Sequence, residues 1–131
     1  MKKLYDLSPL PLIADEACVL EQDVEKCAGH FHGINIKLTK CSGITPALRM
    51  IAKARELGMK VMIGSMNEST IGSAAIAHLA PLADYLDADG PLLLSEDIAT
   101  GLVYNHGVLQ VSNNPGLGII PAELPGFGNP S

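Results

Sequence analysis

Residues 34–65, INIKLTKCSGITPALRMIAKARELGMKVMIGS, predict a strand, a helix and a second strand in direct succession. Residues 34–36 form a short apolar run that ends at Lys37, and residues 61–63 form another that ends at Gly64 and Ser65. Each run is too short for a helix and is followed by turn-forming residues, which is typical of a buried strand. The stretch therefore predicts one β-α-β unit, in which the two strands lie parallel.

The helix between these strands has recognisable ends. Thr45 is a candidate cap, Pro46 suits the first helical position, and Gly58 suits the position just after the last turn. Apolar residues recur at helical spacing and predict one buried stripe, made of Ile44, Ala47, Leu48, Ile51 and Ala54.

The same alternation extends in both directions along the chain. Strand ends are predicted at Asp15, Lys37, Ser65 and Asp87, which are 22, 28 and 22 residues apart, and helices are predicted over residues 21–28 and 70–79. A β-α-β unit takes roughly 30 residues, so the fold class is α/β with a parallel sheet. The pattern fits a barrel or an open, doubly wound sheet, and spacing alone does not separate them.

The character of the sequence changes near residue 100. Two short apolar runs flank Asn105-His106-Gly107, which predicts a β-hairpin. The segment from Asn113 onward is rich in glycine and proline and is expected to be irregular.

Composition narrows the function classes. The chain has 131 residues, is 47% hydrophobic and 18% charged, and carries a net charge of −5, so nucleic acid and anionic membranes are poor partners. No apolar run approaches the roughly 20 residues of a membrane helix, and the N-terminus does not resemble a signal peptide. The three cysteines lack metal-site spacing and predict reduced, mostly buried thiols in a cytoplasmic protein.

Three strand ends carry side chains that could do chemistry. Asp15 could bind a hard cation such as Mg²⁺, or it could cap a helix. Lys37 could sit in a site with a lowered pKa, or its amine could reach solvent while Lys40 lies farther out. Asp87 and Asp89 are two residues apart and share one face of a strand, where they could hold an ammonium group or a metal.

The segment GSMNES at 64–69 is a turn before a helix. Ser69 or Thr70 is expected to cap that helix, and its first N–H groups could receive an anion such as a carboxylate. His78 lies on an apolar helix pattern and is interpreted as a packed core or interface residue.

The order of these motifs resembles the enolase superfamily, in the subgroup of muconate cycloisomerases and dipeptide epimerases. The resemblance is carried by ADEA at 14–17, NIKLTKCSGI at 35–44, GSMNES at 64–69, DADGP at 87–91 and PGLGI at 115–119. It implies the C-terminal half, strands five to eight, of a (β/α)7β barrel over residues 1–100. A C-terminal hairpin and irregular tail then occupy residues 101–131.

The resemblance also implies roles for the strand-end residues. Asp15 would be one of three Mg²⁺-binding carboxylates, and Lys37 would be an acid/base lysine. Asp87 and Asp89 would hold the α-ammonium group of a dipeptide, and Ser65, Met66 and Glu68 would line the substrate site. The implied reaction is an epimerisation by 1,1-proton transfer through an enediolate, and the nearby cation is expected to lower the pKa of Lys37.

The sequence departs from the family pattern in two respects. Ser42 stands where a second glycine is usual, which affects a loop only. The first barrel half, with its second lysine and two carboxylates, and the capping domain have no counterpart here, so the chain alone is expected to be inactive. It needs those parts, or it self-associates. The alternatives are a non-catalytic half-barrel fragment, or a cycloisomerase, N-acylamino acid racemase or o-succinylbenzoate synthase of the same superfamily.

Overall fold

The computed structural model describes residues 2–123, and its centre is a four-stranded parallel sheet in the order β1-β2-β3-β4. Helices precede and separate the strands, as the alternating sequence pattern predicts. The elements around the sheet are α1 (Lys2–Leu7), β1 (Ile13–Ala14), α2 (Val24–Cys27), β2 (Gly33–Ile36), α3 (Leu38–Cys41), α4 (Ile44–Glu56), β3 (Lys60–Gly64), α5 (Thr70–Leu79) and β4 (Tyr85–Asp87).

The strands pair in a register that brings their carboxyl ends to one edge. Ala14 pairs with Ile34, Ile36 with Ile63, and Gly64 with Asp87. The α/β class and the parallel sheet are therefore confirmed. Residues that follow β1, β2, β3 and β4 must lie along the same edge, because all four strands run in the same direction.

Helix α4 begins two residues earlier than the sequence predicts. Ser42 and Gly43 both have positive φ, 73° and 114°, and this turn closes α3 and starts α4 at Ile44. Thr45 is therefore not the cap, and Pro46 lies within the first turn, where its missing N–H costs nothing. Gly58 follows the helix with φ 68°, as expected of a terminating glycine.

The buried face of α4 also differs from the predicted stripe. Its buried residues are Ala47, Met50, Ile51 and Ala54, whereas Ile44 and Leu48 are exposed. The difference is a rotation of the face toward Met50, which is fully buried in the main hydrophobic cluster.

The predicted helix over residues 21–28 is split. Glu21–Asp23 forms a 3-10 turn, and α2 (Val24–Cys27) follows it. The helix ends early because Ala28 is already extended and Gly29 turns the chain with φ 73°. No helix in residues 2–123 is both long and apolar enough to cross a bilayer.

The chain after the sheet forms two small antiparallel pairs. The predicted hairpin is present as β6 (Leu102–Asn105) and β7 (Val108–Val111), while β5 (Ala99–Thr100) pairs with β8 (Ile120–Pro121). The expectation of an irregular tail from Asn113 is therefore wrong at β8, because two residues there pair with a strand that lies 20 to 22 positions earlier. The last part of that tail, 124–131, lies outside the described residues.

Candidate functional site

The carboxyl edge of the sheet brings Asp15 and Lys37 into direct contact. Asp15 directly follows β1 and Lys37 directly follows β2, and Lys37 Nζ donates to Asp15 Oδ2 at 2.7 Å. The Lys37 side chain is 13% exposed and that of Lys40 is 30% exposed, as predicted. Glu16, by contrast, points to solvent. Of the two adjacent acids, Asp15 is thus the one that faces its strand neighbour.

Lys37 is held in its charged form in this arrangement. The hydrogen bond to Asp15 raises the pKa of Lys37, and the negative charges of Glu16 and Asp87 add to this, whereas partial burial acts the other way. A lowered pKa of Lys37 is expected beside a bound cation, and that expectation stays a prediction; within the described residues the shift has the opposite direction. Its physical reason is that a carboxylate, not a cation, is the closest charged neighbour.

Asn35 is a site residue that sequence reasoning missed. It is buried, its Nδ2 lies 3.4 Å from Asp15 Oδ2, and its Oδ1 has no hydrogen-bond partner among the described residues. Gly64 makes room for it, since a β-carbon there would lie 2.6 Å from Asn35 Oδ1. A polar residue in an otherwise apolar, fully buried strand was the available signal.

Asp15 also has an oxygen without a partner. Its Oδ1 is buried and accepts no hydrogen bond within residues 2–123, and the Lys40 ammonium lies 3.8 Å from it. A free carboxylate oxygen is a suitable Mg²⁺ ligand. No group of three or more His, Cys, Asp or Glu residues in the described part of the chain could hold a metal ion, so these residues do not form a complete metal site.

Asp87 and Asp89 lie on the wall of a cleft of about 480 Å³ between β4 and the β6–β7 hairpin. Asp89 is not on the strand itself but directly precedes the 3-10 turn Gly90–Leu93, and both residues still border the same cleft. Partial burial raises the pKa of Asp87, the neighbouring charge of Asp89 raises it further, and Lys37 opposes the shift. Lys37 is therefore close enough to sense both Asp15 and Asp87.

The loop after β3 places one more carboxylate near this edge. Ser65 is half-buried, Met66 is exposed, and Glu68 is only 8% exposed. Both carboxylate oxygens of Glu68 lack a hydrogen-bond partner among the residues described. The Glu68 backbone lies against Gly90, where a β-carbon would come within 2.7 Å of the Glu68 carbonyl oxygen. This loop and the Asp87–Gly90 segment are thus packed together.

The cap of α5 comes from a distant residue. The Thr70 N–H donates to Asp97 Oδ2 at 2.8 Å, whereas Ser69 makes no side-chain cap bond. Ser69 thus occupies the N-cap position, as predicted, but its side chain makes no capping bond, and the Asp97 carboxylate receives the Thr70 N–H in its place. Hydrogen bonds from Thr70 and neighbouring backbone outweigh burial and lower the pKa of Asp97.

The remaining candidates do not belong to this site. His78 is exposed, so the core alternative of its interpretation is wrong for the described residues, while the interface alternative stays a prediction. All three cysteines are free and buried, as predicted, and burial together with Cys27 raises the pKa of Cys18 to about 12. A larger groove of about 630 Å³ lies beside α4, and it is bordered by surface ion pairs such as Arg49–Glu21 and Lys53–Glu25.

Comparison with known proteins matches this chain to one family. Residues 1–124 match the family described as "Enolase C-terminal domain-like". The L-Ala-D/L-amino acid epimerase of Flavobacterium johnsoniae is 55% identical over 118 residues, which are 90% of this chain and 35% of that protein.

Solved structures show the same similarity. A substrate-liganded complex of the L-Ala-D/L-Glu epimerase from Bacillus subtilis superposes with a TM-score of 0.85 at 35% identity, covering 94% of this chain and 36% of that one. A dipeptide epimerase from Methylococcus capsulatus, complexed with Mg and the dipeptide L-Arg-D-Lys, gives 0.78 at 36% identity, covering 92% and 38%. The chain thus spans little more than a third of the length of these relatives, and it belongs to the enolase C-terminal domain-like family of the enolase superfamily.

Proposed function

We propose that this chain is the C-terminal part of a Mg²⁺-dependent dipeptide epimerase. The observation that carries the proposal is the arrangement along one sheet edge. The Asp15–Lys37 pair, joined at 2.7 Å, lies beside the cleft that Asp87 and Asp89 border. Lys37 senses the charges of both Asp15 and Asp87, so one small substrate could span the two regions.

Lys37 is assigned the role of general acid and base at the substrate α-carbon. Removing the α-proton gives a planar enediolate, and returning a proton to the opposite face inverts the centre. Lys37 supplies one face. The second base has no counterpart among the residues of this chain and belongs to the other barrel half.

Asp15 is assigned to the metal, on the strength of its unpartnered Oδ1. Mg²⁺ bound there would hold the substrate carboxylate and stabilise the negative charge that develops on it. A cation at Asp15 Oδ1 would place positive charge near Lys37, which would lower the pKa of Lys37 and make it a better base. One carboxylate is too few for Mg²⁺, so the remaining ligands are assigned to other parts of a longer protein.

Asp87 and Asp89 are assigned to the α-ammonium group of the dipeptide. Two carboxylates on one cleft wall attract a cation and repel an anion, so they favour a free N-terminus. Substrates without an ammonium group gain nothing from this pair, which counts against cycloisomerase and o-succinylbenzoate synthase chemistry. Ser65, Met66 and Glu68 are assigned to the neighbouring wall of the substrate site.

The proposed assembly follows from the sheet. Residues 1–100 would form strands five to eight of a (β/α)7β barrel, and residues 101–131 a C-terminal hairpin and tail. The outer edges of β1 and β4 have no partner strand within residues 2–123, so a complete barrel requires the N-terminal half, with its capping domain, or a second copy. Three buried free thiols support placement in the reducing cytoplasm.

The proposal is tested with a chimaera. In the Flavobacterium johnsoniae epimerase, the segment that matches this chain is replaced by this chain, which is 55% identical to it. Exchange of the α-proton in deuterated water and the appearance of the second epimer are followed by NMR for free and N-acylated dipeptides. Epimerisation of free dipeptides is expected. Turnover of N-acylated amino acids with no turnover of free dipeptides would instead indicate an N-acylamino acid racemase.

A further inference from the structure

The β6–β7 hairpin is fixed to the body of the molecule. Leu109 of β7 packs against the main hydrophobic cluster, and the hairpin strands pair over four positions, from Leu102 with Val111 to Asn105 with Val108. The hairpin also forms one wall of the cleft that contains Asp87 and Asp89. A hydrogen bond from this hairpin can therefore restrain the segment that carries those carboxylates.

Tyr104 is the residue that connects this hairpin to the acidic pair. It is half-buried, and its hydroxyl donates to the carbonyl oxygen of Ala88 at 2.6 Å. Ala88 is the residue between Asp87 and Asp89. Its carbonyl belongs to the peptide plane that leads into Asp89. Holding that plane restrains the Asp89 α-carbon and, together with the Asp89 φ of −87°, the direction of the Asp89 side chain.

A second contact holds the same segment from the other side. A β-carbon on Gly90 would lie 2.7 Å from the Glu68 carbonyl oxygen and 3.1 Å from the Glu68 backbone nitrogen. Only glycine allows this approach, and the segment is consequently pressed between the loop after β3 and the Tyr104 hydroxyl. Burial raises the pKa of Tyr104, which keeps the phenol protonated as a donor.

We propose that Tyr104 is a positioning residue that fixes the spacing and direction of the Asp87 and Asp89 carboxylates by holding the Ala88 carbonyl. Two neighbouring carboxylates repel each other, and without this hydrogen bond the segment relaxes and the two charges move apart. The ligand that the two carboxylates would bind is a primary ammonium group. This choice of ligand rests on the function proposed above.

The geometric part is tested on the 131-residue chain itself. Aspartate is labelled with ¹³C at its carboxyl carbon, and Tyr104→Phe is compared with Tyr85→Phe. The control also removes one phenol hydroxyl, in a residue whose hydroxyl makes no hydrogen bond within the described residues. Both changes leave Lys37, the other charge acting on Asp87, in place.

In Tyr104→Phe the pKa of Asp87 is expected to fall, because the part of its rise that comes from the neighbouring Asp89 charge is reduced while the part that comes from burial remains. In Tyr85→Phe the pKa of Asp87 is expected to be unchanged. Unchanged Asp87 titration in a Tyr104→Phe protein with unaltered circular dichroism would overturn the proposal, as would an equal change in both variants.

The functional part is tested in the chimaera. Loss of one neutral hydrogen bond corresponds to roughly a three- to tenfold effect, expected here as a higher KM for the free dipeptide with kcat nearly constant. The KM of the N-acetylated dipeptide is expected to be unchanged. If Asp87 titration changes in Tyr104→Phe while the two substrates respond alike, Tyr104 positions the pair but the pair does not bind the ammonium group.

Discussion

Replacing Asp89 by asparagine is expected to weaken the preference for a free N-terminus. Both Asp87 and Asp89 border the cleft, and the pKa of Asp87 is raised by partial burial and by repulsion from Asp89, which a bound ammonium group would relieve. A hydrogen bond to a charged group contributes roughly 1.5–3 kcal/mol, or about ten- to a hundredfold in kcat/KM. Asparagine keeps an acceptor oxygen and loses only the charge, so we expect the lower end, about tenfold.

The assay compares kcat/KM of the chimaera for a free dipeptide and for the same dipeptide with an acetylated amine. The ratio of the two values is expected to fall about tenfold in Asp89→Asn. Glu16→Gln is the matched control, because it removes one negative charge near the same sheet edge from a side chain that is 82% exposed. A ratio unchanged in Asp89→Asn, or lowered equally by Glu16→Gln, would refute the assignment of the acidic pair.

Three further outcomes concern assembly and stability. The 131-residue chain is expected to sediment as a species larger than a monomer at micromolar concentration. The reason is that both outer strands of its sheet lack partners in residues 2–123 and that Leu92 and Leu93 are exposed. Sedimentation as a monomer alone would contradict this. Asp97→Ala removes the acceptor at the start of α5 and is expected to lower the free energy of unfolding by about 1 kcal/mol in urea denaturation, while Ser69→Ala has little effect. An equal loss of stability in the two variants would contradict the assignment of Asp97 as the capping residue. Hydrogen bonds from the Val61 N–H and from Arg55 lower the pKa of Asp84, so the stabilising contribution of Asp84 is complete above about pH 4 and is lost as pH falls through the lower, folded-state pKa. Asp84→Asn is therefore expected to make the free energy of unfolding less dependent on pH at acid pH, and an unchanged dependence would contradict this.

The parts of the fold that follow from local pattern could be predicted from the sequence. Short apolar runs alternating with helical stretches determine the parallel sheet, and helix α5 (Thr70–Leu79) has the predicted bounds. Asp15 and Lys37 were placed at strand ends, and parallel strands bring such ends together, which is why these two side chains meet.

The parts that depend on distant residues could not be predicted. Asp97 caps a helix that begins 27 positions earlier, and Tyr104 bonds a carbonyl 16 positions earlier. Neither residue carries a local signal of its partner. The raised pKa of Lys37 could not be predicted either. The direction of its shift depends on which charge is nearest in space, and only the structure shows that this charge is Asp15.

The central claim is that Lys37 moves the α-proton, and solvent-deuterium exchange in the chimaera tests it most directly. Lys37→Ala is compared with Lys40→Ala, which removes an amine from the same edge at 3.8 Å from Asp15. Inversion needs a base on each face, so Lys37→Ala is expected to stop epimerisation in both directions, with exchange surviving from one substrate epimer through the other base. Lys40→Ala is expected to retain both activities. Equal loss in the two variants, or loss in Lys40→Ala alone, would contradict the account.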